Sequence, residues 1–506
     1  MKARYQLPEV ILSVAGMPLE AQQVRALEEV RVSLRLSQPA QCELVFRDPP
    51  GPLEPVGRLT PGVKLQVSLR GETTPLFTGE VTAVETIYEP SRGQAILVRG
   101  YDLLHRLRKR QPVRAHLQET LPDLATALVA DLGITVQSEP VPLQWQRIIQ
   151  HRQSDLEVLV ETAARCGIFL ALRQDTLHLF TLSGEGEPLK LTLGDTLYEA
   201  RFEVNSDPSA RTVTAQGWDP LHVVPHSGSA NQPNSGRSAP AEAAPDHFSE
   251  TGQRTLSDEL AADDRHAQAL AQAELDVRIA REVILRGAAE GSPALMPGAI
   301  IEVEGVAPAL LGRYVLTAVT HTLNERLGFV SELSSEPPAL PLRSRSSIVA
   351  LGVVVSVDDP EAIGRVKVRL PTYNDVETEW MGVLCAAAGP QKGLIMLPEV
   401  GDTVLVLFAR QDPAEGIILG GLYGAGGPPD SGVVDHAVRR YTLLTSGGQK
   451  VVLDDVLSSI HLEDKTGSSL DLSPKEVRLH AVVDLEIEAP GKAVTIRGKS
   501  IDFETG

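Results

Sequence analysis

Aromatic residues make up only 4% of this 506-residue chain, and its three cysteines stand far apart at Cys42, Cys166 and Cys385. So few rings leave little material for a large aromatic-lined pocket. The isolated thiols form no CxxC pair, so neither a disulfide framework nor a zinc ribbon is legible, and they read as buried thiols of a protein made in a reducing cytoplasm. Cations are also in deficit, with 47 Lys and Arg against 66 Asp and Glu and a formal net charge of −19. A groove for nucleic acid or an anionic membrane surface needs clustered Lys and Arg, so no nucleic-acid partner is expected. The basic run from Arg106 to Arg114 reads as a solvated helix or loop face. No apolar run approaches the ~20 residues that span a bilayer. Pro8 and Glu9 interrupt the apolar core that a signal peptide needs, so no signal peptide is expected.

What is abundant is glycine (42) and proline (36), the punctuation of short strands. From Tyr5 to Tyr101 alternating apolar runs are broken at Gly51-Pro52, Pro61-Gly62 and Gly71-Glu72, which predicts an antiparallel barrel over residues 1–105. A small α+β segment follows over 106–195. Helices are predicted from Leu121 to Leu132, closed by Gly133, and from Asp155 to Cys166, with Ser154 as N-cap and Gly167 past the end. Strands return over 196–345, with Met296 to Pro338 alternating well. The stretch 226–252 is rich in Ser, Gly, Pro, Ala and Asn and predicts a flexible loop. A helix is predicted from about Ser257 to Val283.

The segment from Leu351 to Tyr423 alternates most strictly, with Val353/Val355/Val357, Val366/Val368/Leu370 and Val404/Val406/Phe408 each ending at a turn signal. That pattern predicts a small closed barrel over 346–427. The residues Gly364-Arg365-Val366-Lys367, Trp380, Pro398-Glu399-Val400-Gly401-Asp402, Asp412-Pro413 and Leu422-Tyr423 resemble the OB-fold module of contractile-tail spikes. These comprise phage baseplate spikes, type VI secretion VgrG proteins and extracellular injection particles. Gly100-Tyr101-Asp102, Gln153-Ser154-Asp155-Leu156 and Gly217-Trp218-Asp219-Pro220 resemble the phage late-control D hub, so the resemblance runs along nearly the whole chain. It implies a mainly β protein with two hub barrels, an OB-fold and a C-terminal needle.

The last stretch, 428–506, repeats short apolar alternations at Val451/Leu453, Ile460/Leu462, Leu470/Leu472, Val477/Leu479, Leu485/Ile487, Val494/Ile496 and Ile501/Phe503. One copy has an apolar face, no covering helix and two open edges. Three copies wound together bury those faces, which predicts a trimeric β-helical needle with these side chains as its core. The expected tip is a strand from Ile501 to Glu504 ending at Gly506. A separate PAAR-type cone protein, as the resemblance implies, docks on Ile501, Phe503 and Gly506.

Catalytic constellations are weak. Asp358-Asp359, Asp454-Asp455 and Asp263-Asp264 sit at turns or a helix flank, where solvated carboxylates outnumber glycosidase pairs. His222 and His226 are separated by Pro225 on no readable helix, and His461 and His480 form no His-x-His pair, so no metal or other cofactor is expected. Fewer than twenty residues separate Tyr423 from Tyr441, too few for the lysozyme domain that some phage spikes insert there. The resemblance therefore implies a non-enzymatic homotrimer that joins a hexameric tail-tube ring to a threefold needle. It would sit among baseplate proteins, carry effector cargo and touch membrane only transiently during puncture. Its place would be a contractile particle, extracellular or delivered to a target envelope. Two alternatives stay open: a spike with wall-degrading activity, and an OB-fold that binds carbohydrate or nucleic acid through Arg365, Lys367 and Arg369, otherwise an outward polar face.

Overall fold

The computed structural model describes residues 8–49, 59–90, 93–139, 141, 143–219, 224–242, 252–339, 347–389, 392–409, 412–424 and 427–503, so the expected boundary at 345/346 and Gly506 lie outside it. These residues form two compact units, 1–421 and 422–506. The protein is mainly β, as its alternating sequence predicts.

In the first unit an 11-stranded sheet runs through both hub regions. Its amino-terminal part is an antiparallel series in which Gln41–Arg47 shows the expected period of two: Cys42, Leu44 and Phe46 are buried and their neighbours partly exposed. These side chains meet Leu12, Val14, Val30, Val32, Val67 and Val98 in one core. The Cys42 thiol lies within it, and burial holds its pKa far above the ordinary range. The two hub regions join edge to edge where Leu27–Arg35 pairs antiparallel with Ala318–Asn324, from Arg35 opposite Ala318 to Glu29 opposite Asn324.

Between them lies the α+β segment. Leu121–Val129 is capped by Thr120, and Asp155–Arg165 by a Ser154/Glu157 capping box: the Glu157 N–H donates to Ser154 Oγ at 3.3 Å, and the Ser154 N–H to Glu157 Oε2 at 2.7 Å. The basic run beside it is solvated as expected at Arg106, Arg108 and Lys109, but some of its cations also brace buried carboxylates. Arg106 pairs with the buried Glu80, while Arg110 and Arg114 reach the buried Asp155 at 3.0 and 2.7 Å. A buried carboxylate without such partners is costly, so these partly exposed arginines keep Glu80 and Asp155 paired.

Two further expectations are corrected. Residues 224–242 are not a loose loop. Val224–Ala230 is a strand paired with Thr212–Asp219, and Asn231 to Glu242 is strapped down by backbone bonds such as Gly236 N–H to the Leu182 carbonyl at 2.8 Å. A strand that rides on another element's backbone needs no apolar side chains of its own. Gly228 demonstrates this, since a Cβ there would lie 2.2 Å from the Gln268 nitrogen of the adjacent helix. Residues 243–251 lie outside the description. The helix expected from Ser257 starts at Asp264 instead, because Gln253–Leu260 pairs in parallel with Thr212–Asp219 and Asp263 caps the helix after it.

The OB-fold closes as a five-stranded barrel. Ile348–Ser356 pairs with both Thr403–Phe408 and Arg365–Leu370, and Met381–Val383 and Gly416–Gly421 complete the circuit. Val354, Val366, Val368, Val404, Val406 and Phe408 fill it.

Candidate assembly surface

The OB-fold motif residues prove to be internal braces. Asp359 accepts backbone N–H groups from Glu361, Ile363 and Arg365 and pairs with the Arg365 guanidinium at 2.7 Å. Arg365 is buried, so it is not part of an outward polar face. The reason is that Asp359 neutralises it inside the turn, and the same contact holds the Asp359 carboxyl far below the usual carboxylate range. Gly364 supplies the positive φ that brings the chain around. Lys367 lies over the Trp380 ring at 5.1 Å and pairs with Glu379 at 3.4 Å. Arg147 of the α+β segment pairs with that same Glu379 at 2.9 Å, so the motif also ties the barrel to the hub. His151 against Tyr373, and Val113 against the barrel core, complete this joint. Arg369 is paired with Asp375 at 2.7 Å. At the second corner the Asp402 carboxylate accepts Glu399 N–H at 2.8 Å, while Gly401, at positive φ, donates to the Val354 carbonyl. Pro398 opens that corner.

The second unit contains a five-stranded antiparallel meander, Arg440–Leu444, Lys450–Asp454, Ser459–Glu463, Ser469–Leu472 and Val477–His480. Its registers stack apolar residues in two ladders on one face. Tyr441, Leu453, Ile460, Leu472 and Val477 form one; Leu443, Val451, Leu462, Leu470 and Leu479 form the other. Among the described residues of this unit nothing covers this face: Leu453, Ile460, Leu462, Val477 and Leu479 are all exposed, Val477 by 69%. Tyr441 and Leu443 belong to it although the sequence reading omitted them; the alternation Arg-Tyr-Thr-Leu before Thr445 was the available signal.

The opposite face is polar. His461 there contacts Asp471 at 2.5 Å through Nδ1 and Glu463 at 3.2 Å through Nε2. Asp471 first, then Glu463, raise the His461 pKa.

Past His480 the expected alternation does not form strands among the described residues. Leu485, Ile487, Val494 and Ile496 are exposed, and Ile501–Phe503 is not a strand, with Phe503 89% exposed. A strand without a neighbour leaves its N–H and C=O groups unpaired, so one chain cannot hold these segments extended. Gly506 lies outside the described residues.

Residues 53–325, more than half of the chain, match the Alg8 N-terminal domain family. The chain belongs to that family. Residues 350–423 of this family member also match the type VI secretion system/phage-baseplate injector OB domain. Among curated relatives, the type VI secretion system spike protein VgrG3 of Vibrio cholerae serotype O1 is 24% identical over 75% of the chain and 40% of its own length. The actin cross-linking toxin VgrG1 of the same species is 29% identical over 24% of the chain and 11% of its own length. The chain thus spans less than half of these relatives. In three dimensions it is similar to the E. coli c3393 protein, a component of the type VI secretion system, with a TM-score of 0.56 at 14% identity over 81% of this chain and 99% of that one. A chain of the lidded Francisella PdpA–VgrG complex gives 0.57 at 9% identity over 94% and 80%. These structural likenesses establish the fold.

Proposed function

We propose that the chain assembles as the homotrimeric hub and spike of a contractile injection machine. One observation carries the reading: the two apolar ladders on the Arg440–His480 sheet are uncovered by the described residues of their unit. Ten apolar residues aligned across five strands form a patch that a monomer rarely leaves in water. Three copies packing these faces together bury them and give the segments past His480 the strand partners they lack. The cores are then Val451, Leu453, Ile460, Leu462, Leu470, Leu472, Val477 and Leu479, continued by Leu485, Ile487, Val494 and Ile496.

The two hub barrels per chain give six in a trimer, a match to a hexameric tube ring, with baseplate proteins around it. The needle pierces the target envelope, touches membrane only in passing and helps to deliver effector cargo. The partner in the Francisella complex supports the last point by analogy. The exposed Phe503 and Ile501 are the docking points for a PAAR-type tip protein. The role is mechanical rather than enzymatic, which fits the engagement of Arg365, Lys367 and Arg369 in internal pairs; that same engagement, with the acidic balance, weighs against an oligonucleotide face. Native mass spectrometry tests the reading: a trimer at micromolar concentration is expected, and a folded monomer there overturns it.

A further inference from the structure

The OB barrel carries an exposed apolar run that its own core does not use. Between the short hairpin Ala388–Gly389/Lys392–Gly393 and the corner at Pro398, the four successive residues Leu394, Ile395, Met396 and Leu397 are all exposed, Ile395 by 81%. A surface that only faces water breaks such a run with a charge; left unbroken, it is a contact surface or an aggregation hazard. The segment is not slack. At one end the Leu394 N–H donates to the Ala387 carbonyl at 3.1 Å, and at the other the Glu399 N–H donates to the Asp402 carboxylate at 2.8 Å. Leu397 lies over the turn at Gly364, its Cδ2 3.9 Å from where a Cβ there would stand. Anchored at both ends, the segment has less freedom to lose on docking.

A second apolar patch lies on the outside of the same barrel. Along Ile348–Ser356 and Thr403–Phe408 the inward residues Val354, Val404, Val406 and Phe408 fill the core, so Val349, Leu351, Leu405 and Leu407 face outward. The register sets Val349 opposite Leu407 and Leu351 opposite Leu405, one aliphatic block across two strands. Val349 and Leu351 are exposed. A strand with one face in water alternates apolar with polar residues. The near-continuous apolar run of Thr403–Phe408 belongs instead to a strand covered on both faces.

We propose, resting on the homotrimer reading above, that the Leu394–Leu397 segment of one copy seats on the Val349/Leu351 face of the next, so that the three barrels form a head-to-tail ring of their own. A contact between two unlike patches repeats from copy to copy and closes at three around the axis that the needle imposes. Its size points to a second copy of this chain rather than to an unrelated protein. A few aliphatic side chains fall short of the ~800 Å² per partner of a free-standing interface. Between copies the shortfall is offset. The chain runs from Gly416–Gly421 through residues 422–439 into Arg440–Leu444, so an assembled needle tethers the barrels at roughly millimolar effective concentration.

Thiol footprinting on the full chain tests the contact, with each label assigned by peptide mass so that the native cysteines are read separately. In the trimer the thiol of Ile395→Cys is expected to react with a maleimide about tenfold slower than that of Glu72→Cys, an exposed turn position. Adding Leu351→Lys, on the receiving face, should restore the fast rate, since Leu351 does not cover Ile395 within one chain. Ile395→Asp should lower the unfolding temperature of the trimer, and Leu351→Lys should recover part of that loss by supplying the carboxylate with a partner on the next copy. A trimer by native mass spectrometry in which Ile395→Cys reacts as fast as Glu72→Cys overturns the contact and leaves the trimer standing. Protection that survives Leu351→Lys likewise overturns the proposed seat. A chain that is monomeric throughout overturns both.

Discussion

The hub strands and the C-terminal meander are written in the same alternating code, yet they end in opposite states. In Gln41–Arg47 the inward residues Cys42, Leu44 and Phe46 are completely buried by other strands of the same chain. In Ser459–Glu463 the corresponding residues Ile460 and Leu462 remain more than a third exposed. Alternation specifies a face, and only topology says what covers it. In the hub, strands distant in sequence return to close the core. In the meander each strand pairs only with its sequence neighbours, so a single layer results and its apolar face has no second layer within the chain.

The sharpest way to break this comparison is to put charge on the uncovered face. Leu462→Asp would place three carboxylates in a shared core, each costing several kcal/mol. Native mass spectrometry should show loss of the trimer while the hub's unfolding transition stays in place. Arg478→Ser, on the opposite face, should leave the trimer intact. A trimeric Leu462→Asp protein would mean that the ladder lies outside the assembly. The same logic applies to Ile487→Asp, although that residue lies past the last strand of the lone chain.

The mirror experiment is Phe46→Ala. Truncating a fully buried ring should cost the hub about 3–5 kcal/mol with no effect on needle assembly. Denaturant titration with separate probes on each unit would check it. A loss shared equally by both units would mean that they do not unfold independently.

A third, smaller effect is expected at the OB-fold corner. Arg365→Ala leaves the buried Asp359 carboxylate without its partner and should cost about 3 kcal/mol. Because Asp359 also gathers three backbone N–H groups, Asp359→Asn should be milder than Arg365→Ala. The reverse order, measured by thermal unfolding, would show that backbone capping and not the ion pair holds the turn.

How much of this was legible follows from the same contrast. Local signals read through well: the Ser154 cap, the Gly133 and Gly167 stops, and the closed barrel whose strands run from Ile348 to Gly421 each depend on residues close in sequence or on strict period. What failed depended on distant partners. Arg365 looked like an outward cation because the carboxylate that buries it lies across a turn. The ion pairs of Arg110 and Arg114 were not legible because Asp155 is far along the chain. The stretch after Val224 looked loose because its stability comes from other elements' backbones, which leave no apolar trace in its own residues.

The smallest effects are expected from pH, and two histidines, one in each unit, contribute with opposite signs. In the hub, burial lowers the pKa of His321 from 6.5 to about 4. The unfolded chain therefore takes up a proton that the folded one refuses, and stability is lost as pH falls from about 6.5 toward 4. The loss is about 1 kcal/mol by pH 5.5. In the meander, Asp471 and then Glu463 raise the pKa of His461. Its contribution is fully present below the ordinary histidine pKa and disappears as pH rises through the raised value. His321 thus weakens the hub in acid, opposed there by the buried Asp102, whose raised pKa favours the folded state as pH falls, while His461 strengthens the meander. His461→Gln should flatten the alkaline arm of the meander's stability and leave the acid arm of the hub untouched. A hub that loses stability in acid as steeply with His321→Gln as without it, or a meander whose alkaline arm survives His461→Gln, would sink the corresponding assignment.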